Sequence, residues 1–497
     1  MSKPIQTPFG AVSGTDLGGV IRYLGVPFAK PPVGELRFRD PQLPQPWDGV
    51  LEATGYRKDP IQSNLVLDVS HYSEDCLYLN IWVPETAEEK TPVMVWIPGG
   101  AFSNGGSGAV SPEGPSQYDC EIIARDTGCI IVSMSYRLNV FGFLNFSAYS
   151  SRFDDNLGMK DIILALRWVN MSIGAFGGDK DNVTIFGESA GGEAITALLL
   201  IDEAKPYYHK AIVESNCFGS FYTVEEERLI TDKFLEFAGL ESVGPEGLLN
   251  MSYEDILAAK AKLELYSWQD FFGRCTFCPV VDGVFLKDFP TISRFEGLDK
   301  PVLIGSNRSE AHFQVLLYQW KDEEYDACAA ATLRRLTPED RKPLLAPYEN
   351  MRNRFGLGEL LTDVMYTFPK VRFAEHACTQ VPVYLYRYDY VTPVLRKMGL
   401  GACHVTELLP LFEIKEPPYG AFAEGDGEMM HAIGTRMRRY WGAFARTGRP
   451  DVPGQTKWEP YDLERRSTLI IDREDTLASD PERAVRERFA HVERVLI

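Results

Sequence analysis

FGGDKDNVTIFGESAGGEAITALLL, residues 176–200, passes from a short apolar run (183–186) through Gly187-Glu188-Ser189-Ala190-Gly191 into a second apolar run with helical spacing. A GxSxG pentapeptide alone is common by chance. Set between a strand and a helix it is the context of a nucleophile elbow, and a mere structural turn explains it less well. The glycines have a physical reason. Ser189 must sit in a strained turn that exposes its hydroxyl, and side chains at 187 or 191 would crowd that turn. The helix that follows aims its first N–H groups at the place where negative charge develops on a substrate oxygen.

Working outward, short runs rich in β-branched residues recur at 93–97, 130–133, 183–186, 211–213, 302–304, 383–386 and 468–471. They read as buried strands. Between several of them lie helical patterns, one over 157–169 with Ile162, Leu166 and Val169 on one face and another over 192–201. The alternation predicts an α/β fold with a large, mostly parallel central sheet flanked by helices on both faces. No repeat, low-complexity block or linker divides the chain, so residues 1–497 read as one catalytic domain. From about 310 to 400 longer polar and amphipathic segments suggest a helical cap insertion, and caps shape pockets. The acidic runs 225–227 and 321–326 read as solvated helix faces. Residues 482–497, with Val485, Phe489, Val492 and Leu496 at helical spacing, read as a helix packed on the body rather than a dimer seam.

The composition, 45% hydrophobic and 24% charged, is that of a globular protein. With 51 basic and 70 acidic side chains the formal charge is −19, which disfavours a nucleic-acid partner because phosphate binding needs basic stripes. No apolar run is long enough for a membrane span, and the opening residues lack the pattern of a signal peptide. The expectation is a cytoplasmic chain. Nine scattered cysteines form no disulfide framework. Cys275 and Cys278 make the sole CxxC, with no second pair to complete a zinc site, so no metal is expected and coincidence is the favoured explanation.

A serine hydroxyl needs a base, and imidazole suits neutral pH. In the chain order serine, acid, histidine, the base follows Ser189. Six of the seven histidines do so: His209, His312, His376, His404, His431 and His491. His404 stands out because it follows the run 383–386 and the glycine-bearing loop 398–403. Glu310 lies just beyond the run 302–304 and before His404, where it could hold the imidazole in one tautomer. Glu407 and Asp426 are weaker candidates for the acid, the first for its closeness to His404, the second for its flexible surroundings. The strand PVMVWI followed by PGGAF supplies a glycine-rich turn, and the backbone N–H groups of Gly100, Ala101 and Ala190 are the proposed oxyanion donors. Glu188 could line the pocket or hold a structural hydrogen bond, Ser215 could support the acid, and Phe102, Phe272, Phe313 and Leu317 are candidate pocket walls.

At this point the sequence resembles the type-B carboxylesterases, the carboxylesterase and cholinesterase family of the α/β-hydrolases, and within it the bacterial p-nitrobenzyl-esterase-like members. The resemblance spans nearly the whole chain. LGVPFAKPPVGELRF (24–38) is similar to the family's N-terminal signature, EDCLYLNIWVP (74–84) to its second, and FGGDKDNVTIFGESAG to its serine signature. GSNRSEAHF and GACHVTELLPLF place the acid at Glu310 and the base at His404, and YWGAFARTGRP with WEPY resembles the family's C-terminal region. The resemblance implies an α/β-hydrolase fold, hydrolysis of small-molecule carboxylic esters through an acyl-enzyme, and no cofactor. Departures are informative. Relatives often read HGGGF where this chain has Pro98, Gly99, Gly100, Ala101 and Phe102. The bridge that secreted relatives make from the cysteine of EDCLYLN has no upstream partner for Cys76, and no Trp lies between Trp47 and Trp82 to stack on choline. A thioesterase, an amidase or a non-catalytic adhesion member of the fold are the alternatives. Either a monomer or a homodimer fits.

Overall fold

In this computed structural model the chain is described over residues 1–62, 71–107, 117–217, 221–270, 275–317, 321–333, 336–416 and 419–492. An 11-stranded sheet organises it. In chain order its strands are β1 Thr15–Asp16, β2 Val20–Pro27, β3 Tyr78–Pro84, β4 Thr91–Ile97, β5 Ile130–Met134, β6 Gly178–Glu188, β7 Lys210–Glu214, β8 Val302–Asn307, β9 Val383–Tyr388, β10 Ser467–Ile471 and β11 Thr476–Ser479. Across the sheet the order is β11-β10-β9-β8-β7-β6-β4-β5-β3-β2-β1. The run from β10 to β5 is parallel, and the strands added at either edge are antiparallel. All seven apolar runs picked out above are strands of this sheet.

Parallel strands covered on both faces must be apolar on both, which is why TPVMVWI, IIVSM and KAIVE read as near-continuous hydrophobic runs. Alternate side chains divide between two cores. Val95, Ile185, Val213, Ile304 and Leu385 enter one with helix α1 (Leu157–Ser172). Trp96, Phe186, Ile212, Leu303 and Tyr386 enter the other, which also takes Trp441 and Phe444 of the long helix Gly427–Thr447. The register brings Ile97, Gly187, Glu188, Glu214 and Gly305 to one line at the carboxyl ends of the central strands, where open α/β sheets bind ligands.

Helix α2, Ala190–Leu198, starts two residues earlier than its apolar pattern because Ser189 itself is the cap. Between β8 and β9 the chain is helical over His312–Leu317, Tyr325–Thr332, Pro338–Leu345, Arg354–Thr362 and Phe368–Ala377 before it returns to the sheet. The acidic run 225–227 differs from its expectation. Glu227 turns inward from the helix Val224–Phe237, 4% exposed, and accepts the Asn145 N–H at 2.7 Å, so only its neighbours are solvated. The terminal helix is Arg483–Phe489, and Leu496 lies outside the described residues. Among the described residues no helix is long and apolar enough to cross a membrane.

One buried ion pair anchors α1 to the loop after β5. Asp161, wholly buried, takes Arg137 in a fork of 2.8 and 2.7 Å and also accepts its backbone N–H at 2.9 Å. Removing one partner strands the other charge. Asp161→Asn is expected to lose about 3 to 5 kcal/mol of stability in urea unfolding, and a loss below about 1 kcal/mol would contradict that account.

Candidate active site

Ser189 joins β6 to α2 with φ 56° and ψ −124°, a region few non-glycine residues enter. Its N–H donates to the Glu214 carbonyl at 3.0 Å and its carbonyl accepts the Glu193 N–H at 2.9 Å, which fixes the turn from both sides. The flanking glycines are needed for a reason the sequence did not show. A Cβ at Gly191 would lie 2.0 Å from the carbonyl oxygen of Ile97, and one at Gly187 would lie 2.6 Å from the same atom. The end of β4, not only the turn itself, forbids side chains there.

His404 stands in the loop after β9 with its Nε2 2.9 Å from Ser189 Oγ and its Nδ1 2.8 Å from Glu310 Oε2. Glu310 is fully buried just past β8, and its other oxygen accepts the Asn307 N–H at 2.6 Å. Backbone bonds stitch the two loops together: His404 N–H to the Glu310 carbonyl at 3.0 Å and Ser309 N–H to the Ala402 carbonyl at 2.8 Å. The three residues singled out from sequence thus form one hydrogen-bonded line.

The turn after β4 lies on the elbow. A Cβ on Gly99 would be 2.6 Å from the Glu188 carbonyl oxygen and 3.1 Å from Ser189 Cβ. Gly100 and Ala101 both have positive φ, 116° and 55°. The Tyr136 hydroxyl donates to the Pro98 carbonyl, and the Ser103 and Asn104 N–H groups to that of Gly100. Among the described residues no acceptor takes the N–H of Gly100 or Ala101, and that of Ala190, the first in its helix, has no intrahelical acceptor.

Acids crowd the imidazole. Glu188, 2% exposed, holds Oε1 3.3 Å from His404 Nε2. Burial raises its carboxyl well above the ordinary value, against the opposing pull of His404. Burial opposes the charged imidazole of His404, whereas Glu188, Glu310 and Glu407 favour it, and the balance lifts its pKa from 6.5 to about 10. Glu407 is not the orienting acid. It accepts hydrogen bonds from Ser215 Oγ and Asn307 Nδ2, and burial pushes its carboxyl up to about 7. Ser215 therefore reaches Glu407 rather than Glu310, and its support of the acid passes through Asn307. Nothing in the local sequence marked this, because the partners come from β8, the end of β7 and the His404 loop.

The candidate walls separate. Phe313 is half-buried with its ring centroid 6.5 Å from that of His404 and 6.3 Å from that of Tyr419. Phe102 is wholly buried and packs on Phe143 at 4.5 Å, a core contact. Leu317 is 57% exposed. Phe272 lies outside the described residues. The residue missed was Tyr366, 2% exposed, with its ring centroid 5.5 Å from that of His404.

The family model of the carboxylesterase family matches residues 1–489. The chain belongs to the carboxylesterase family. Its sheet and flanking helices are an α/β-hydrolase fold, and it is a carboxylic ester hydrolase. It is 35% identical to the para-nitrobenzyl esterase of Bacillus subtilis over 98% of both chains. With carboxylesterase 1E of Mus musculus it shares 32% identity over 88% of this chain and 84% of the mouse protein. Among solved structures it is similar to a thermophilic p-nitrobenzyl esterase (TM-score 0.88, 33% identity, 98% of this chain and 100% of that one). It is also similar to the Geobacillus stearothermophilus carboxylesterase (TM-score 0.84, 32% identity, the same coverage). In this carboxylesterase Cys76 is buried and unpaired.

The carboxyl beside Nε2 has a measurable consequence. Buried Glu188 carries its charge only beside a protonated His404, so Glu188→Gln withdraws support from the imidazolium and the imidazole stays neutral to lower pH. The acid limb of the kcat/KM profile is expected to move down by about one pH unit or more, and a limb that stays in place would show that Glu188 does not act on His404.

Proposed function

We propose that this carboxylesterase cleaves carboxylic esters in two steps through Ser189, His404 and Glu310. Ser189 Oγ attacks the ester carbonyl as His404 Nε2 takes its proton, and the imidazolium then gives that proton to the departing alcohol. Water, deprotonated by the same nitrogen, adds to the acyl carbon and frees the acid, and the imidazolium returns the proton to the departing Ser189 Oγ. Glu310 holds Nδ1–H and stabilises the imidazolium. The tetrahedral oxygen is received by the N–H groups of Gly100, Ala101 and Ala190, and Ala101 can serve because the donor is backbone. The observation that carries this reading is the continuous line Ser189–His404–Glu310, 2.9 and 2.8 Å.

On this reading the substrates are small-molecule esters, the catalytic unit is a single domain, and the helices between β8 and β9 form its cap. Since the imidazole must be neutral to act as base, the rate rises with pH, and the raised pKa of His404 carries that rise well past neutral.

Turnover of p-nitrophenyl acetate and butyrate, beside a matching thioester and anilide, tests the reading. The esters are expected to be the faster substrates, Ser189→Ala is expected to lose at least about 10³-fold, and a fluorophosphonate should label wild type at Ser189 but not the variant. Equal rates in wild type and Ser189→Ala would overturn it.

A further inference from the structure

Tyr366, buried beside His404, sits in a π-turn, Asp363–Thr367, inserted between the helices Arg354–Thr362 and Phe368–Ala377. Its wide hydrogen bond runs from the Phe368 N–H to the Asp363 carbonyl. The cause is in the sequence. Pro369 has no N–H to offer Met365, and its ring would press on that carbonyl in a regular helix, so the chain widens by one residue. Single π-turns of this kind recur at functional sites. Here the turn presents Tyr366 to His404, with the Gln314 amide donating to its hydroxyl at 3.3 Å.

The same turn presents Asp363 to the C-terminal helix α3, Arg483–Phe489. Arg488 Nη1 lies 3.1 Å from Asp363 Oδ2 and 2.6 Å from the Tyr348 hydroxyl, which itself donates to Asp363. The Arg488 and Asp363 side chains are 19% and 15% exposed, so this pair is screened far less than a surface one. Burial pushes the Asp363 carboxyl up to about 7, opposed by Tyr348 and Arg488. Next in the chain, Phe489 is wholly buried with its ring 5.3 Å from that of Phe368, the residue that closes the π-turn. Arg372 donates to the Val492 carbonyl at 2.6 Å. At the other end of α3, Glu482 accepts from Arg387 at 3.2 Å and faces Lys370 at 3.9 Å. Lys370, 1% exposed, donates to Ser306 Oγ at 2.7 Å, one residue before the Asn307 that holds Glu310. A different pair on α3, Arg483 with Glu487, is 72% and 53% exposed and touches none of this.

We propose that the C-terminal helix is a latch for the substrate pocket: Arg488, through Asp363, fixes the π-turn and so sets how far Tyr366 stands into the space beside His404, which limits the size of ester the enzyme accepts. Arg488 is a positioning residue, remote from the reacting atoms. The inference rests on the ester-hydrolase reading above and adds what selects among esters. A pocket wall that moves by the width of a methylene changes discrimination between neighbouring chain lengths about tenfold or more. Releasing the latch lets the wall retreat and favours longer acyl chains.

The test is the ratio of kcat/KM for p-nitrophenyl hexanoate to that for the acetate, a quantity that loss of folded enzyme leaves unchanged. In Arg488→Met the ratio is expected to rise at least about fivefold, in Tyr366→Ala to rise in the same direction, and in the double variant to rise no further than in Tyr366→Ala. Arg483→Ala should keep the wild-type ratio. Asp363→Asn, which retains the Tyr348 contact, stands in if Arg488→Met does not fold and should raise the ratio likewise. A ratio within twofold of wild type in the folded latch variant, or additive effects in the double variant, overturns the latch alone. Wild type that turns over neither ester overturns the hydrolase reading and the latch with it.

Discussion

Ser189 can keep its left-handed backbone, a conformation that costs about 1 to 3 kcal/mol, only because three elements close on it. The Ile97 carbonyl at the end of β4 leaves room for no Cβ at 187 or 191, the Glu214 carbonyl holds its N–H from β7, and α2 begins directly on it. The Gly99–Gly100 turn then continues from β4 and rests on the same elbow. The packing that strains the serine therefore also places the N–H groups proposed to receive the oxyanion. Hydroxyl and donors are fixed by one constraint, which is the condition for electrostatic preorganisation.

Around this elbow the fold concentrates carboxylates where water is scarce. Glu188, Glu310, Glu407 and Glu214 are all within 2% of full burial, and isolated ions there would cost several kcal/mol each. The molecule offsets that cost with His404, with the Asn307 N–H and amide, with the Ser215 hydroxyl, and with the Trp441 indole, which donates to Glu214 at 2.6 Å. Every one of these donors is carried by the end of a central strand, the adjoining loops or the helix Gly427–Thr447. The upward displacement of His404 and Glu407 is the electrostatic trace of that arrangement.

Chemistry and pocket are built on different parts. The reacting side chains hang from strand ends that pair in a rigid parallel sheet. Tyr366, the wall of the proposed latch, belongs to a helical layer that the chain inserts between β8 and β9 and that Arg488 and Phe489 grip from the far end of the sequence. On the proposed latch, selectivity can change while the Ser189–His404–Glu310 line stays as it is.

The strands, the elbow and the order serine, acid, histidine were legible in the sequence because each is local. A strand covered on both faces needs an apolar run, a strained serine needs small neighbours, and strand-end loops carry the acid and the base. Helical spacing within 310–400 was legible for the same reason, although β9, Val383–Tyr388, also falls inside that range. Sequence could not show that Ser215 meets Glu407 instead of Glu310, that Phe102 points into the core while Leu317 is exposed, or that Glu227 alone of its acidic run turns inward. Nor could it show that Tyr366 stands beside His404. Those outcomes depend on which distant segment fills the space next to each side chain: Asn307 meets Glu407, and Tyr366 meets His404, only when the sheet brings β8 and β9 side by side. Local chemistry decided which side chains could react, and packing between remote segments decided what surrounds them.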